Sequence, residues 1–191
     1  SGVLTVQRLV RQLELLRESI AQLDQRIAEL TGAHPDQPIF ASLPGAGPVM
    51  VPRLIAAFGT QRERFASASQ IQCYAGIAPV SECSGKQHWV HWCWACPKFL
   101  RQTFHEWAWL STRKSAWARA FYDRQRAQGK SHHASVRALA FKWVRVVFRC
   151  WKDGTPYNEA RYLQALQKRA KPVEILVKKT SGLTSVRDLL T

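Results

Sequence analysis

The sequence predicts an all-α fold with one minor β-hairpin, in which a projecting coiled-coil helix precedes a compact helical domain. Three observations carry this expectation. Apolar residues keep an unbroken heptad over the first thirty positions, later apolar stretches recur at helical spacing between Gly, Pro and Ser, and one short aromatic stretch at 87–92 fits a strand.

The heptad runs through Val6, Leu9, Leu13, Leu16, Ile20, Leu23, Ile27 and Leu30 in alternating steps of three and four. Branched Val6, Ile20 and Ile27 share one seam position, and Leu9, Leu16, Leu23 and Leu30 share the other, a pattern suited to two parallel strands. Residues 1–33 are therefore expected to form a coiled-coil helix, paired with a second copy or with an antiparallel helix from upstream. The alternative is a long amphipathic helix laid on its own domain.

Gly32 and the linker Ala33-His34-Pro35-Asp36-Gln37-Pro38 end that helix, and a domain over 34–170 begins. Ile39–Leu43 reads as a short helix, Pro44-Gly45-Ala46-Gly47 as a tight turn, and Pro48–Phe58 as a second helix stopped by Gly59, a helix-hairpin-helix pattern over 39–58. Glycines at 45 and 47 would let backbone N–H groups approach a phosphate at a helix N-terminus, with Arg53 one turn in to support them. An ordinary corner that uses Gly and Pro for geometry alone is the competing reading.

Gln61–Ala75 is expected to be one helix ending at Gly76, on the spacing of Phe65, Ala68, Ile71, Gln72 and Ala75. The strand at Gln87–Trp92 is expected to pair with the segment around Val80 across the turn-rich stretch Ser81–Lys86. Further helices are expected from Pro97 to Leu110 or Ser111, over Ala116–Gln128, and from Ser131 or the His132–His133 pair to Trp151. The last of these combines a wide apolar face with a basic stripe of Lys142, Arg145 and Arg149. The eight tryptophans, all between 89 and 151, are read mostly as core. Residues 171–191 form a tail, expected to be disordered or variable between relatives.

Charge points to the partner. The chain of 191 residues carries a net charge of +15, yet the first helix balances Arg8, Arg11, Arg17 and Arg26 against Glu14, Glu18, Asp24 and Glu29. The excess lies beyond it: from Lys98 to Lys152 there are thirteen Lys or Arg against Glu106 and Asp123 alone, Lys98 and Arg101 opening the series. Such one-sidedness suits a polyanion, whose counterions are released on binding. The 46% hydrophobic content excludes general disorder, and no apolar run is long enough to predict a membrane span or a secretory leader. Five cysteines, two of them at 93 and 96, are read as reduced thiols in a cytoplasmic protein.

Catalytic chemistry is sparse. His88, His91, Cys93 and Cys96 have zinc-ligand identities, but the two histidines would face opposite sides of a strand and the cysteines run into a helix, so no metal is assigned to them. Glu63, Glu82, Glu106, Asp123, Asp153 and Glu159 are scattered singly, which does not suit a nuclease Mg²⁺ site. Ser84, before Gly85 and Lys86, has the exposure and the neighbouring cation that a serine nucleophile for a phosphate needs, although composition alone would make it a turn residue.

The ordered series Leu43-Pro44-Gly45-Ala46-Gly47-Pro48, Arg64-Phe65, Tyr74-Ala75-Gly76-Ile77-Ala78-Pro79, Ser84-Gly85-Lys86 and then Trp94–Trp107 resembles the C-terminal domain of the insertion sequence 110/1111 family of transposases. The resemblance covers about 35–169. It implies DNA transposition through a serine nucleophile, Ser84 by position with Ser81 as the alternative in the same loop. It also implies a structured guide RNA that pairs with donor and target DNA, and a bacterial, nucleoid-associated setting. In that family a four-carboxylate Mg²⁺ site lies in an RNase-H-like N-terminal domain, so no cofactor is expected in this chain, and the chain alone is expected to be inactive. Cys93 departs from the pattern, standing where a basic residue is expected. Two other readings remain open at this point: a helix-hairpin-helix clamp without chemistry of its own, and a coiled-coil assembly factor whose charge serves solubility.

Overall fold

The computed structural model describes residues 2–91, 93 and 95–168, and the tail expected at 171–191 lies outside them. The fold is mainly helical with one two-stranded antiparallel sheet. The chain divides into two compact units, Ser1–Tyr157 and Asn158–Thr191.

The first unit opens with α1 (Gly2–Gly32), whose 31 residues imply a length of about 46 Å. None of its residues is buried, and the eight seam side chains are 45–63% exposed. The alternative of a helix laid on its own domain is therefore not realised, and the apolar seam faces solvent along its length.

Two short helices follow, α2 (Gln37–Ala41) and α3 (Met50–Phe58), joined by a turn through Pro44–Gly47. The second begins two residues later than Pro48, since the Met50 and Val51 amides both bond to the Gly47 carbonyl. The single helix expected over 61–75 is divided. A 3-10 turn (Arg62–Arg64) gives way to extended backbone at Phe65 (φ −127°, ψ 120°), and α4 (Ala68–Tyr74) restarts behind Ser67, whose hydroxyl accepts the Gln70 amide. Two interactions explain the break. Asp36 holds the Arg62 guanidinium through both carboxylate oxygens, and Phe65 is buried beside Trp151 with 6.5 Å between ring centroids. These tertiary contacts outweigh a helical spacing that is only a weak local preference.

Strands β1 (Val80–Ser84) and β2 (Gln87–His91) pair antiparallel, from Val80 opposite His91 to Ser84 opposite Gln87. The stretch read as turn-rich, 81–86, is strand as far as Ser84, and Gly85 and Lys86 make the connection. Gly85 has φ +57°, the positive value that a two-residue hairpin requires at its first central residue in the II′ class.

The core is built on α7 (His132–Asp153), which packs against α4, α5 (Lys98–Ser111) and α6 (Ala116–Ala127). Ser115 and Ser131 cap the last two helices, accepting from Ala118 and Ala134. Buried Trp143 stacks obliquely between Trp107 (5.0 Å) and Trp117 (4.5 Å), while Phe58 meets Phe40, Phe104 and Trp151. Each indole buried among the described residues has an acceptor: Trp107 donates to the Pro44 carbonyl, Trp143 to Ser111 Oγ, Trp151 to the Gly59 carbonyl and Trp117 to the Tyr157 hydroxyl. These bonds fix ring orientation and tie the turns at Pro44 and Gly59 to the core.

One junction of the core brings three histidines together. His105 on α5 lies 5.5 Å from the His133 ring, with His132 and Arg137 close by, and its Nε2 is buried without a hydrogen-bond partner among the described residues. Burial first, and then the neighbouring His133, hold its pKa below the ordinary 6.5. The unfolded chain therefore binds this proton more readily. Its stabilising contribution is complete above pH 6.5 and is lost as the pH falls below that value. The denaturant midpoint is expected to drop between about pH 7 and pH 5.5, and His105→Gln should flatten that dependence. Asp36 and Glu106, whose pKa values are lowered from 3.8 and 4.5, lose their contributions only at lower pH.

In the second unit, residues 159–168 are helical, and the Asn158 side chain accepts the Arg161 amide at 3.0 Å.

Candidate nucleic-acid interface

The residues singled out from the sequence fall into three local groups. The first is the hairpin tip. Ser84 is the last residue of β1 and is exposed, followed by Gly85 and exposed Lys86. Strand alternation places Ser84 on the face that holds Glu82 and Trp89, while Ser81 lies on the opposite face with Cys83 and Val90. Glu82 accepts from the Trp89 indole at 3.1 Å and meets His91 Nε2 at 2.7 Å, and those two partners hold its carboxyl below the usual range. The Ser84 face is thereby fixed by a cross-strand network, although only half of the hairpin's own backbone polar groups can be satisfied by so small a sheet.

The second group is the turn between α2 and α3. Gly45 has φ +78°, and a Cβ there would meet the carbonyl carbon and oxygen of Leu110 and the Ser111 amide nitrogen at 2.8–2.9 Å. One side of the corner is therefore covered by α5. Gly47 is different, with nothing within 4 Å of a Cβ built on it. Arg53 does not reach the turn's ligand side as a free cation. It pairs with Glu106 at 2.6 Å, donates to Thr103 Oγ1 at 3.1 Å and lies over the Phe99 ring. A guanidinium so engaged serves the α3–α5 contact.

The third group is on α5 and α7. Lys98 is exposed at the start of α5, and Arg101 is half-buried one turn on. Arg145 and Arg149 are exposed on one stripe of α7, Arg149 at 3.5 Å from Asp153. Lys142 shares their spacing but not their surroundings: its ammonium lies 4.8 Å from the Phe121 ring centre, and burial, with Arg124 nearby, lowers its pKa. It packs as a cation on aromatic rings, with Trp117 also within 6.0 Å.

Sequence reasoning passed over one basic pair. Arg113 and Lys114, just past the end of α5, border a cleft of about 470 Å³ whose other wall is the Pro44–Gly47 turn. The available signal was the position of two adjacent cations immediately behind a helix end, in a segment poor in acids.

Among the described residues no group of three or more His, Cys, Asp or Glu side chains could hold a metal ion. Cys96 is buried against Gly76, its thiol directed at the Cys93 carbonyl at 3.2 Å, and all five cysteines are free. No helix among the described residues is long and apolar enough to cross a membrane.

Comparison with known proteins gives this arrangement its context. Residues 37–123 match the family model described as Transposase IS116/IS110/IS902 family. The chain is 30% identical over 162 residues to the mini-circle protein of IS117 from Streptomyces coelicolor, covering 85% of this chain and 39% of that protein. It is 31% identical over 156 residues to the 43.6 kDa protein of insertion element IS110 from the same organism (81% and 38%). It is also 31% identical over 160 residues to the 42 kDa protein of insertion element IS900 from Mycobacterium paratuberculosis (81% and 39%). The chain spans about two fifths of the length of these relatives. Its segment 37–123, which contains the glycine turn, the hairpin, α5 and the first part of α6, belongs to the IS116/IS110/IS902 family of transposases.

Proposed function

We propose that this chain is the C-terminal part of a transposase, that it grips DNA together with a guide RNA, and that it presents Ser84 as the nucleophile of DNA strand transfer. The observation that carries this reading is the placement of Ser84 at the exposed end of β1, next to the Gly85 turn and the Lys86 ammonium. A serine in that position can approach a phosphodiester without moving the core, and the neighbouring cation favours the phosphate's negative charge. In the step proposed, a bond forms between Ser84 Oγ and phosphorus, the phosphorus–oxygen bond to one deoxyribose breaks, and the serine proton passes to the departing sugar oxygen. The product is a phosphoserine ester to DNA and a free sugar hydroxyl.

The described residues hold no Mg²⁺ set, so the reading assigns that metal to another part of the longer protein and expects the chain alone to be inactive in strand transfer. The test uses the full-length transposase with DNA carrying its element ends. Covalent protein–DNA adducts are trapped and digested, and mass spectrometry should find the nucleotide on the peptide containing Ser84. An adduct on any residue other than Ser84 overturns the nucleophile assignment.

The same reading gives α1 a partner, the seam of a second copy. Its apolar residues are 45–63% exposed, a row of eight that a soluble helix would bury in use. Sedimentation should show a dimer of the chain, and Leu16→Glu with Leu23→Glu should shift it to monomer without lowering the melting temperature of the compact domain. The rival reading, a clamp that performs no chemistry, expects DNA binding with no adduct.

A further inference from the structure

The cleft beside the glycine turn is built by close backbone packing. Trp107 donates to the Pro44 carbonyl, and the missing side chain of Gly45 lets the turn settle on the Leu110 carbonyl and the Ser111 amide. Ser111 is itself held, accepting from Trp143 at 2.8 Å and donating to the Ala108 carbonyl at 2.7 Å. Both walls of the cleft are therefore anchored to buried tryptophans. Its lining is Pro44, Gly45, Ala46, Gly47, Leu110, Arg113 and Lys114, with no carboxylate among them.

The two cations supply the charge of the cleft. Arg53, Arg62, Arg119 and Arg149 each pair with an acid, and Lys142 is packed on aromatic rings. Arg113 and Lys114 are exposed, and neither makes an ion pair or ring contact with a described residue. Across from them, the Gly47 amide bonds to no described acceptor, and a Cβ built on Gly47 would have nothing within 4 Å. Two unpaired cations and a free amide around an apolar floor of Pro44, Ala46 and Leu110 match an anionic group carried on a sugar.

We propose that this cleft seats a phosphodiester of duplex DNA, with Arg113 and Lys114 as its cations and the Gly47 amide as its third donor. The inference rests on the reading that the chain holds DNA, and it adds which residues hold the backbone there. The contacts carry no base information, so they position DNA of any sequence.

The test is binding of the 191-residue chain to a short fluorescein-labelled duplex by anisotropy across a salt series. Arg113→Gln with Lys114→Gln should weaken binding roughly tenfold at about 0.1 M salt and make the log–log salt slope shallower by about one. Arg8→Gln with Arg11→Gln removes the same charge from α1 and should change binding less than about twofold. Gly47→Ala, for which there is space in the fold, should also weaken binding while the melting temperature stays unchanged. Equal losses from the two double variants, or no loss from either cleft variant, overturn the cleft while the DNA-binding reading stands. Loss confined to a labelled RNA of the same sequence overturns it in favour of RNA in the cleft. If the parent chain binds no duplex, the DNA-binding reading falls and the cleft assignment with it.

Discussion

Ser84→Ala in the full-length transposase is expected to abolish covalent attachment to DNA, a loss of about 10³-fold or more, because it removes the hydroxyl to which the ester bond is assigned. Binding should persist, since the serine hydroxyl contributes little to holding a polyanion beside so many cations. Ser81→Ala is the informative companion. Residues three apart on a strand face opposite sides, so a DNA strand seated on one face of β1 can meet only one of the two hydroxyls. The Glu82–Trp89–His91 network orders the Ser84 face, and Ser81→Ala should leave the adduct within about twofold of the parent. An adduct lost with Ser81→Ala and retained with Ser84→Ala would move the nucleophile to Ser81. Survival through both changes would leave a clamp without chemistry.

The second large effect concerns stability. Gly45→Ala forces a methyl to within 2.9 Å of the Leu110 carbonyl oxygen and the Ser111 nitrogen, on a residue whose φ is +78°. Left-handed strain and overpacking against backbone each cost about 1–3 kcal/mol, so a total of about 3 kcal/mol is expected. For a chain of this size that lowers the melting temperature by roughly 10 °C, readable by calorimetry. Gly47→Ala, two residues away, should lie within about 0.5 kcal/mol of the parent, because nothing stands within 4 Å of the new atom. Equal effects at both positions would mean that the turn does not pack on α5 as described. Gly76 is a second position of the Gly45 kind, where a Cβ would clash with the Cys96 side chain on a residue with φ +65°.

The contrast between these glycines shows what was legible in the sequence. The turn between two helices was readable from Pro44-Gly45-Ala46-Gly47, but nothing in those letters says that Gly45 is spent on packing and Gly47 left open. That division depends on α5, about sixty residues away, whose carbonyl end lands on one glycine and misses the other. The basic stripe of α7 behaved in the same way. Lys142, Arg145 and Arg149 share a face by helical period alone, yet Phe121 and Trp117 from α6 cover Lys142 and leave Arg145 exposed.

By itself the sequence determined the helical class, the hairpin between the segment around Val80 and 87–92, the heptad period of α1 and the resemblance that the family match bears out, because periodicity and ordered motifs are local properties of a chain. Only the tertiary structure decided where the helix expected over 61–75 breaks and which cations are spent. The Asp36–Arg62 pair, the Phe65–Trp151 contact and the Arg53–Glu106 pair join residues 26 to 86 positions apart. Such contacts set the conformation and the charge of a residue through partners that its neighbours in sequence do not reveal.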